Sequence, residues 1–401
     1  MPPFGKGNVR PIYEGEALSD LAPFDALLPS RLIFGPGTVE RIGDLAAPLG
    51  EKALVVIGGG SARKSGLLDE VLGRLERASV GAEVFEGVRG NPKASEADAA
   101  GAAINGAGCD LVIGLGGGSV MDVAKAAALV ATHGPSVTRF LRKEESPSSL
   151  YGAPPIICVP TVAGTGSEAN DTSVLTDEET GLKGSLRGPA CVPGVSILDP
   201  DVIATAPARY AVASAVDALC HAMESFVARK HNPFSDALAR AAAGLLVGAI
   251  PRLADDEEEA RGAVLVGATL AGQALSTSAS IITHALEHPL SARLDAHHGE
   301  GLAALQPAVL DRVHEGDPER FAEVAEWLGA GPDPGLAAGT FRRLVVSAGL
   351  DTSARKLGMD EGHVEQFVDD AVASGSRGLT ASPVDLERED LVSIYRAALK
   401  E

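Results

Sequence analysis

The chain has 401 residues, enough for two ordinary hydrophobic cores with a cleft between them, because single cores stop growing at roughly 250 to 300 residues. Its 54 acidic and 34 basic side chains leave a net charge of −20, which argues against nucleic acid or any other polyanion as a partner. The first residues lack the apolar core of a signal peptide, and no later segment approaches the roughly 20 uncharged apolar residues that cross a bilayer. A cytoplasmic protein with no membrane partner is expected. Cys109, Cys158, Cys191 and Cys220 are far apart in apolar surroundings, which suits buried reduced thiols better than a zinc knuckle or a disulfide frame.

In chain order, Arg31–Phe34 reads as a short strand stopped by Gly35-Pro36-Gly37, with Thr38 placed to cap a helix through Glu40 and Ile42. Ala53–Ile57 is a buried strand running into the turn Gly58-Gly59-Gly60-Ser61, followed by a helix from about Gly66 to Ala78 and a strand near Glu83–Phe85. The pattern repeats. Ala94–Ala107 predicts a small-residue helix, Asp110–Leu115 a strand, Gly116–Ser119 a turn, Val120–Thr132 a helix and Ile156–Val159 another strand. Strand, glycine turn, helix, strand is the pattern of a parallel sheet with helices on both faces. Beyond about Ala206 the pattern changes to helices near 209–228, 235–250, 257–275, 300–313, 318–328, 335–348, 360–374 and 387–400, with no convincing strand. The expected division is an α/β domain over 1–205 and an all-α domain over 206–401, separated where Asp199-Pro200 and Ala206-Pro207 punctuate the chain. The acidic run Asp255 to Glu259 suits the start of a helix.

Gly116-Gly117-Gly118-Ser119 sits between a buried strand and a helix, where glycine lets a ligand approach the backbone and the helix N-terminus offers N–H groups to phosphate. A second polar turn, Pro160 to Glu168, follows the next buried strand. Alone, either turn could be a steric requirement of the βα connection, with Asp122 an ordinary first-turn residue, Lys125 a solvated charge, and Thr161, Thr165 and Ser167 local turn formers. Their coincidence favours a phosphate-bearing cofactor. Asp217 and His221 lie four apart on a predicted helix and so share a face, and His284 and His288 repeat that spacing on another. His298 stands before a glycine, where a turn can bring it back to the same point. A carboxylate with imidazoles from separate elements suits Fe²⁺ or Zn²⁺. His133, His231, His297, His314 and His363 read as bystanders.

Together, Gly117-Gly118-Ser119 with Asp122 and Lys125, Pro160 to Glu168, Asp217-x3-His221, and His284-x3-His288-Pro289-Leu290 with His298-Gly299 resemble the iron-containing (group III) alcohol dehydrogenases of dehydroquinate-synthase-like fold, from about Leu28 to Ala398. The resemblance implies a Rossmann-like nucleotide domain and a helical domain, with metal and nicotinamide meeting in the cleft of a homodimeric enzyme. It implies Asp217, His221, His284 and His298 as metal ligands and His288 as a further histidine beside the nicotinamide. It also implies Gly116, Gly117, Gly118 and Ser119 at the pyrophosphate, with Asp122, Thr161, Thr165, Ser167, Lys183 and the Asn91-Pro92 turn around the cofactor. NAD-preferring relatives often carry an acidic residue where this chain has Gly58. The uncharged turn Gly58 to Ser61, followed by Arg63-Lys64, is similar to the NADPH-dependent aldehyde reductases of the family and implies a preference for NADP(H). The implied activity is interconversion of an aldehyde and a primary alcohol. Zinc-dependent polyol dehydrogenases, maleylacetate-type reductases and dehydroquinate synthase share the fold, and a non-catalytic nucleotide binder is the alternative of another kind.

Overall fold

A computed structural model describes Phe24, Leu28 and residues 30–400 apart from Asp256 and Gly375; the N-terminal stretch read for a signal core lies outside these residues. Six strands form one parallel sheet: β1 (Arg31–Phe34), β2 (Lys52–Gly58), β3 (Gly81–Val88), β4 (Leu111–Gly116), β5 (Ile156–Pro160) and β8 (Val195–Leu198), in the order β1-β8-β5-β4-β2-β3. Two further strands, β6 (Thr172–Asp177) and β7 (Leu182–Arg187), make a separate antiparallel hairpin. Three helices of this half concern the site or its support: α1 (Leu67–Arg77), α2 (Ala94–Ala107) and α3 (Gly118–His133).

Alternation along β2 explains why both faces are covered. Leu54 and Val56 pack with α2 and α3, whereas Ala53, Val55 and Ile57 pack with Leu68, Val71 and Leu75 of α1. From β2 the chain steps outward to β3, then returns to add β4 on the other side. Such a reversal opens a crevice beyond the strand C-termini, which is where ligands bind in open α/β sheets. The turns after β2 and β4 flank that crevice.

The second half is helical, as expected: α4 (Ala208–Val227), α5 (Pro233–Ala254), α6 (Glu258–Thr277), α7 (Ile282–Leu294), α8 (His298–Val313), α9 (Pro318–Trp327), α10 (Ala337–Ser347), α11 (Val364–Ser374), α12 (Ser376–Ala381) and α13 (Arg388–Ala398). The expected helix boundaries hold to within a few residues. The Asp255 to Glu259 run does open a helix, with Glu258 and Glu259 in the first turn of α6. Buried side chains of α4 to α11 and α13 form one continuous core of their own.

Several expectations are corrected. Strand β8 and the β6–β7 hairpin went unread because they are short and carry polar residues or glycine. Thr38 does not cap its helix. Its hydroxyl instead donates to Gly35 O, and the Asp199 carboxylate, far away in sequence, accepts from Gly37 N and Val39 N at 3.2 and 2.9 Å. The alternative reading of Lys125 as a solvated charge is removed, because the side chain is fully buried. Finally, the stretch Pro233–Leu253 is long and apolar enough by composition to cross a membrane. It belongs to α5, which packs against α4 and α6 and carries the buried Asp236 in an ion pair with Arg320.

Candidate metal and nucleotide site

The two glycine turns lie side by side because β4 and β5 are paired in register, Gly116 opposite Pro160, and Thr161 N donates to Gly116 O at 3.0 Å. Gly118 begins α3 so close to the second turn that a Cβ there would stand 2.4 Å from Thr165 Cγ2. Only glycine permits that approach. Lys125, two helical turns further on, donates to Ser167 Oγ, Asn170 Oδ1 and Thr172 O at 2.7, 3.0 and 2.8 Å. Asp122 accepts from Ser167 Oγ at 2.6 Å and from Val174 N at 3.0 Å. These two side chains thus tie α3 to the second turn and to β6. Burial raises the Asp122 carboxyl above its usual range, against the pull of Lys125.

The cofactor candidates divide by position. Gly118, Ser119, Asp122, Thr165, Ser167 and Lys183 line a cavity of about 230 Å³ that also reaches the histidines. Gly58, Ser61, Asn91, Gly116, Gly117 and Thr161 lie outside that lining. Gly58 ends β2, Ser61 begins the next helical turn, and the Asn91 amide donates to Asp295 Oδ1 at 2.7 Å, joining the α/β half to the bend after α7. Gly90 and Pro92, flanking Asn91, do line the cavity.

In the lining of the same cavity, α4 presents Asp217 and His221 on one face. The Asp217 Oδ1 atom stands 3.4 Å from His221 Nε2, 3.5 Å from His284 Nε2 and 3.8 Å from His298 Nε2. The His221 and His284 rings stack with centroids 4.6 Å apart. His298 is brought in by the reversal between α7 and α8, where Asp295 adopts a left-handed conformation (φ 53°) and Gly299 meets α4 so closely that a Cβ would lie 2.0 Å from Ala213 O. Behind the histidines stand two fully buried carboxylates that the sequence reading missed. Glu224 pairs with His284 Nδ1 at 2.9 Å and accepts from Ile281 N at 2.9 Å, while Glu287 pairs with His298 Nδ1 and accepts from Ser291 Oγ. Glu224 lies seven residues after Asp217 and Glu287 three after His284, so helical spacing held the signal for both.

These residues fit a divalent cation. Asp217 Oδ1 and His284 Nε2 are buried without a hydrogen bond, facing each other across a separation too long for one. Ligand atoms at about 2.1 Å from a tetrahedral ion stand roughly 3.4 Å apart, comparable to the spacings around Asp217. Electrostatics agrees. Burial opposes a proton on His284, yet Glu224 and Asp217 outweigh it and push the imidazole up to about 10. Burial would likewise raise Asp217, but His221, His284 and His298 hold its carboxyl below the usual range. A pocket that draws a proton onto a buried imidazole is one that a cation satisfies. Carboxylates behind metal-binding histidines fix the tautomer whose Nε2 lone pair points inward.

His288 lines the same cavity with its ring 6.2 Å from that of His298. Burial, with Lys183, His298 and His284 adding to it, lowers its imidazole well below the usual value, so it is neutral. Lys183, on β7, is buried in the same cavity and its ammonium is also lowered by burial. Of the expected bystanders, His297 packs edge-on against Tyr210, His133 meets Tyr151 O, and His231 and His363 pair with Asp236 and Asp360.

A crevice at a parallel-sheet switch point, joined to a buried carboxylate and three imidazoles, is the arrangement of a metal- and nucleotide-dependent enzyme. Residues 29–200 match the family described as iron-containing alcohol dehydrogenase, and residues 211–399 match the C-terminal part of the Fe-containing alcohol dehydrogenase family. The 1,3-propanediol dehydrogenase of Klebsiella pneumoniae is 31% identical, over 94% of this chain and 98% of the relative. The NADPH-dependent butanol dehydrogenase of Clostridium saccharobutylicum is 28% identical over 92% of this chain and 96% of the relative. Among solved structures, the NADH-dependent butanol dehydrogenase A of Thermotoga maritima superposes with a TM-score of 0.86 at 30% identity, covering 94% of this chain and 99% of that one. The chain therefore belongs to the iron-containing alcohol dehydrogenase family and shares its dehydroquinate-synthase-like fold.

Proposed function

We propose that this protein interconverts an aldehyde and a primary alcohol with NAD(P)(H), using a divalent metal held by Asp217, His221, His284 and His298. The observation that carries the reading is the convergence of three imidazole Nε2 atoms on one buried Asp217 oxygen, in a cavity whose lining also includes Gly118 and Ser119. When bound, the ion supplies Lewis acidity at the carbonyl oxygen and the nicotinamide supplies or receives the hydride. Ser119 and the α3 N-terminus hold phosphate, while Thr165 and Ser167 wall the nucleotide side. Lys183 meets the nicotinamide ribose, and the neutral His288 passes the alcohol proton as a relay. Iron is the metal the family implies, and zinc accepts the same donors.

NADP(H) is the proposed preference, because the turn Gly58 to Ser61 presents no carboxylate to repel a 2′-phosphate. Arg63 is already paired with Glu86 through two contacts of 3.3 and 2.9 Å, which among the described residues leaves Lys64 as the uncommitted cation of that turn and makes the preference salt-sensitive. The proposed assembly is a homodimer, with the domain boundary at 205/206.

The deciding experiment reconstitutes the purified protein separately with Fe²⁺ and Zn²⁺ and assays an aldehyde and alcohol panel with NADPH and NADH. His284→Ala should lose both metal and turnover. Full activity in chelator-treated protein would remove the metal from the reading, and equal use of NADH would remove the cofactor preference.

A further inference from the structure

The cavity lining also includes two arginines, the partly buried Arg187 and the solvent-exposed Arg377, on a chain whose net charge is −20. Arg187 closes β7. Its Nε and Nη2 hold Asp171 Oδ1 at 3.0 and 2.8 Å, and Nη2 also donates to Ser276 O at 2.7 Å, near the C-terminus of α6. Those contacts fix the guanidinium and commit the Asp171 charge to it. Arg377, on α12, is different. Among the described residues its guanidinium makes no hydrogen bond and no ion pair; the charges acting on it are Arg187, which repels, and Asp171, which Arg187 already holds.

No carboxylate of the cavity is free to answer it. Asp122 is bonded to Ser167 and Val174 N, and Asp217 lies among the imidazoles. The wall near α7 is small and apolar, with Leu275, Ala279 and Ala285. Gly378, the residue after Arg377, fits so tightly against the start of α7 that a Cβ there would stand 2.9 Å from Ile281 O and 3.5 Å from Ala285 Cβ. Ala285 directly follows His284. The unpaired cation is therefore mounted on an element that abuts the first turn of the helix carrying His284 and His288.

We propose that the physiological substrate is a short aldehyde or alcohol bearing a carboxylate at the end remote from the reacting carbon, and that Arg377, flanked by Arg187, receives that carboxylate. The proposal rests on the oxidoreductase reading above. A guanidinium without a partner is drawn to a carboxylate by both charge and paired N–H donors, and a neutral alkyl chain offers it neither. The apolar strip between the two ends accommodates the methylene groups, so Arg377 sets which end of the substrate faces the histidines.

The test compares 4-oxobutanoate with the neutral pentanal in the metal-loaded enzyme, with the preferred nucleotide, in wild type, Arg377→Gln and Arg377→Lys. Wild type should favour the anionic aldehyde in kcat/KM by about tenfold or more, the size expected of one charge-assisted contact. Arg377→Gln should collapse that ratio through KM for 4-oxobutanoate, and Arg377→Lys should retain part of it. Butanoate should compete with 4-oxobutanoate in wild type and lose that ability in Arg377→Gln. Turnover of pentanal with no anionic preference overturns this inference alone. An Arg377→Gln ratio equal to wild type, or an equal loss on both aldehydes, does the same, because the latter is what a merely structural arginine would give. Absence of turnover with any aldehyde and either nucleotide overturns the oxidoreductase reading, and this inference with it.

Discussion

Replacing Glu224 with Gln tests the metal site without touching a ligand. Glu224 uses one oxygen on His284 Nδ1 and the other on Ile281 N, each at 2.9 Å, and is fully buried. Glutamine has one acceptor where the carboxylate has two. If its oxygen stays on Ile281 N–H, its NH₂ group faces His284 Nδ1, and the ring proton must move to Nε2, the atom aimed at Asp217. If instead it accepts from Nδ1–H, two donors meet at Ile281 N. Either way the tautomer that offers a lone pair inward is disfavoured. Loss of such a partner typically weakens metal binding about 10- to 100-fold, or roughly 1.4 to 2.8 kcal/mol. The metal-free fold should also lose some stability, because Glu224 is one of the two carboxylates that hold the His284 proton. The assay is a competitive-chelator titration with Zn²⁺ on wild type and variant, with thermal unfolding in excess chelator as the control. A variant whose metal affinity stays within twofold of wild type, while its fold is intact, would refute the positioning role of Glu224.

Lys125→Met leaves Ser167, Asn170 and Thr172 O without their shared donor and Asp122 without its counter-charge; a loss of about 3–5 kcal/mol is expected, read as a large drop in unfolding temperature. Gly118→Ala drives a methyl group into Thr165 and separates the two glycine turns, so fluorescence titration should show weaker binding of both NADPH and NADH, by about tenfold, in a protein that still retains metal. Chelator-treated protein should lose stability on both sides of roughly pH 6.5. Burial holds His221 down at about 4, below its unfolded value, so the unfolded chain binds more protons and stability falls from pH 6.5 toward 4. His284 is held up at about 10, so the stability its proton provides is complete below 6.5 and is lost as pH rises toward 10. Saturating Zn²⁺ should flatten the alkaline limb, because a metal-bound imidazole has no proton to lose; identical pH profiles of unfolding temperature with and without metal would contradict the assignment.

Much of this was legible in the sequence because its signals are local. The apolar runs at Ala53–Ile57 and Leu111–Leu115 could only be buried strands, the glycine turns mark where backbone meets backbone or phosphate, and four-residue spacing put Asp217 with His221 and His284 with His288 on common faces. The hairpin of β6 and β7 was not legible. Its residues alternate weakly, and its burial comes from α3 and α7 rather than from its own pattern. Lys125 shows the same limit: taken alone, a lysine in a helix reads as solvated until the turn and strand that surround it are known.

Sequence by itself determined the alternating α/β half, the helical half and the residue types able to hold a metal, since periodicity and spacing act over a few residues. Tertiary structure alone decided that Glu224 and Glu287 stand behind His284 and His298, that Asp199 caps a helix some 160 residues upstream, and that Arg187 and Arg377 line the same cavity as the histidines. Those relations join separate elements, and the distance between two side chains on different elements is fixed by how their buried faces pack, which no local pattern encodes.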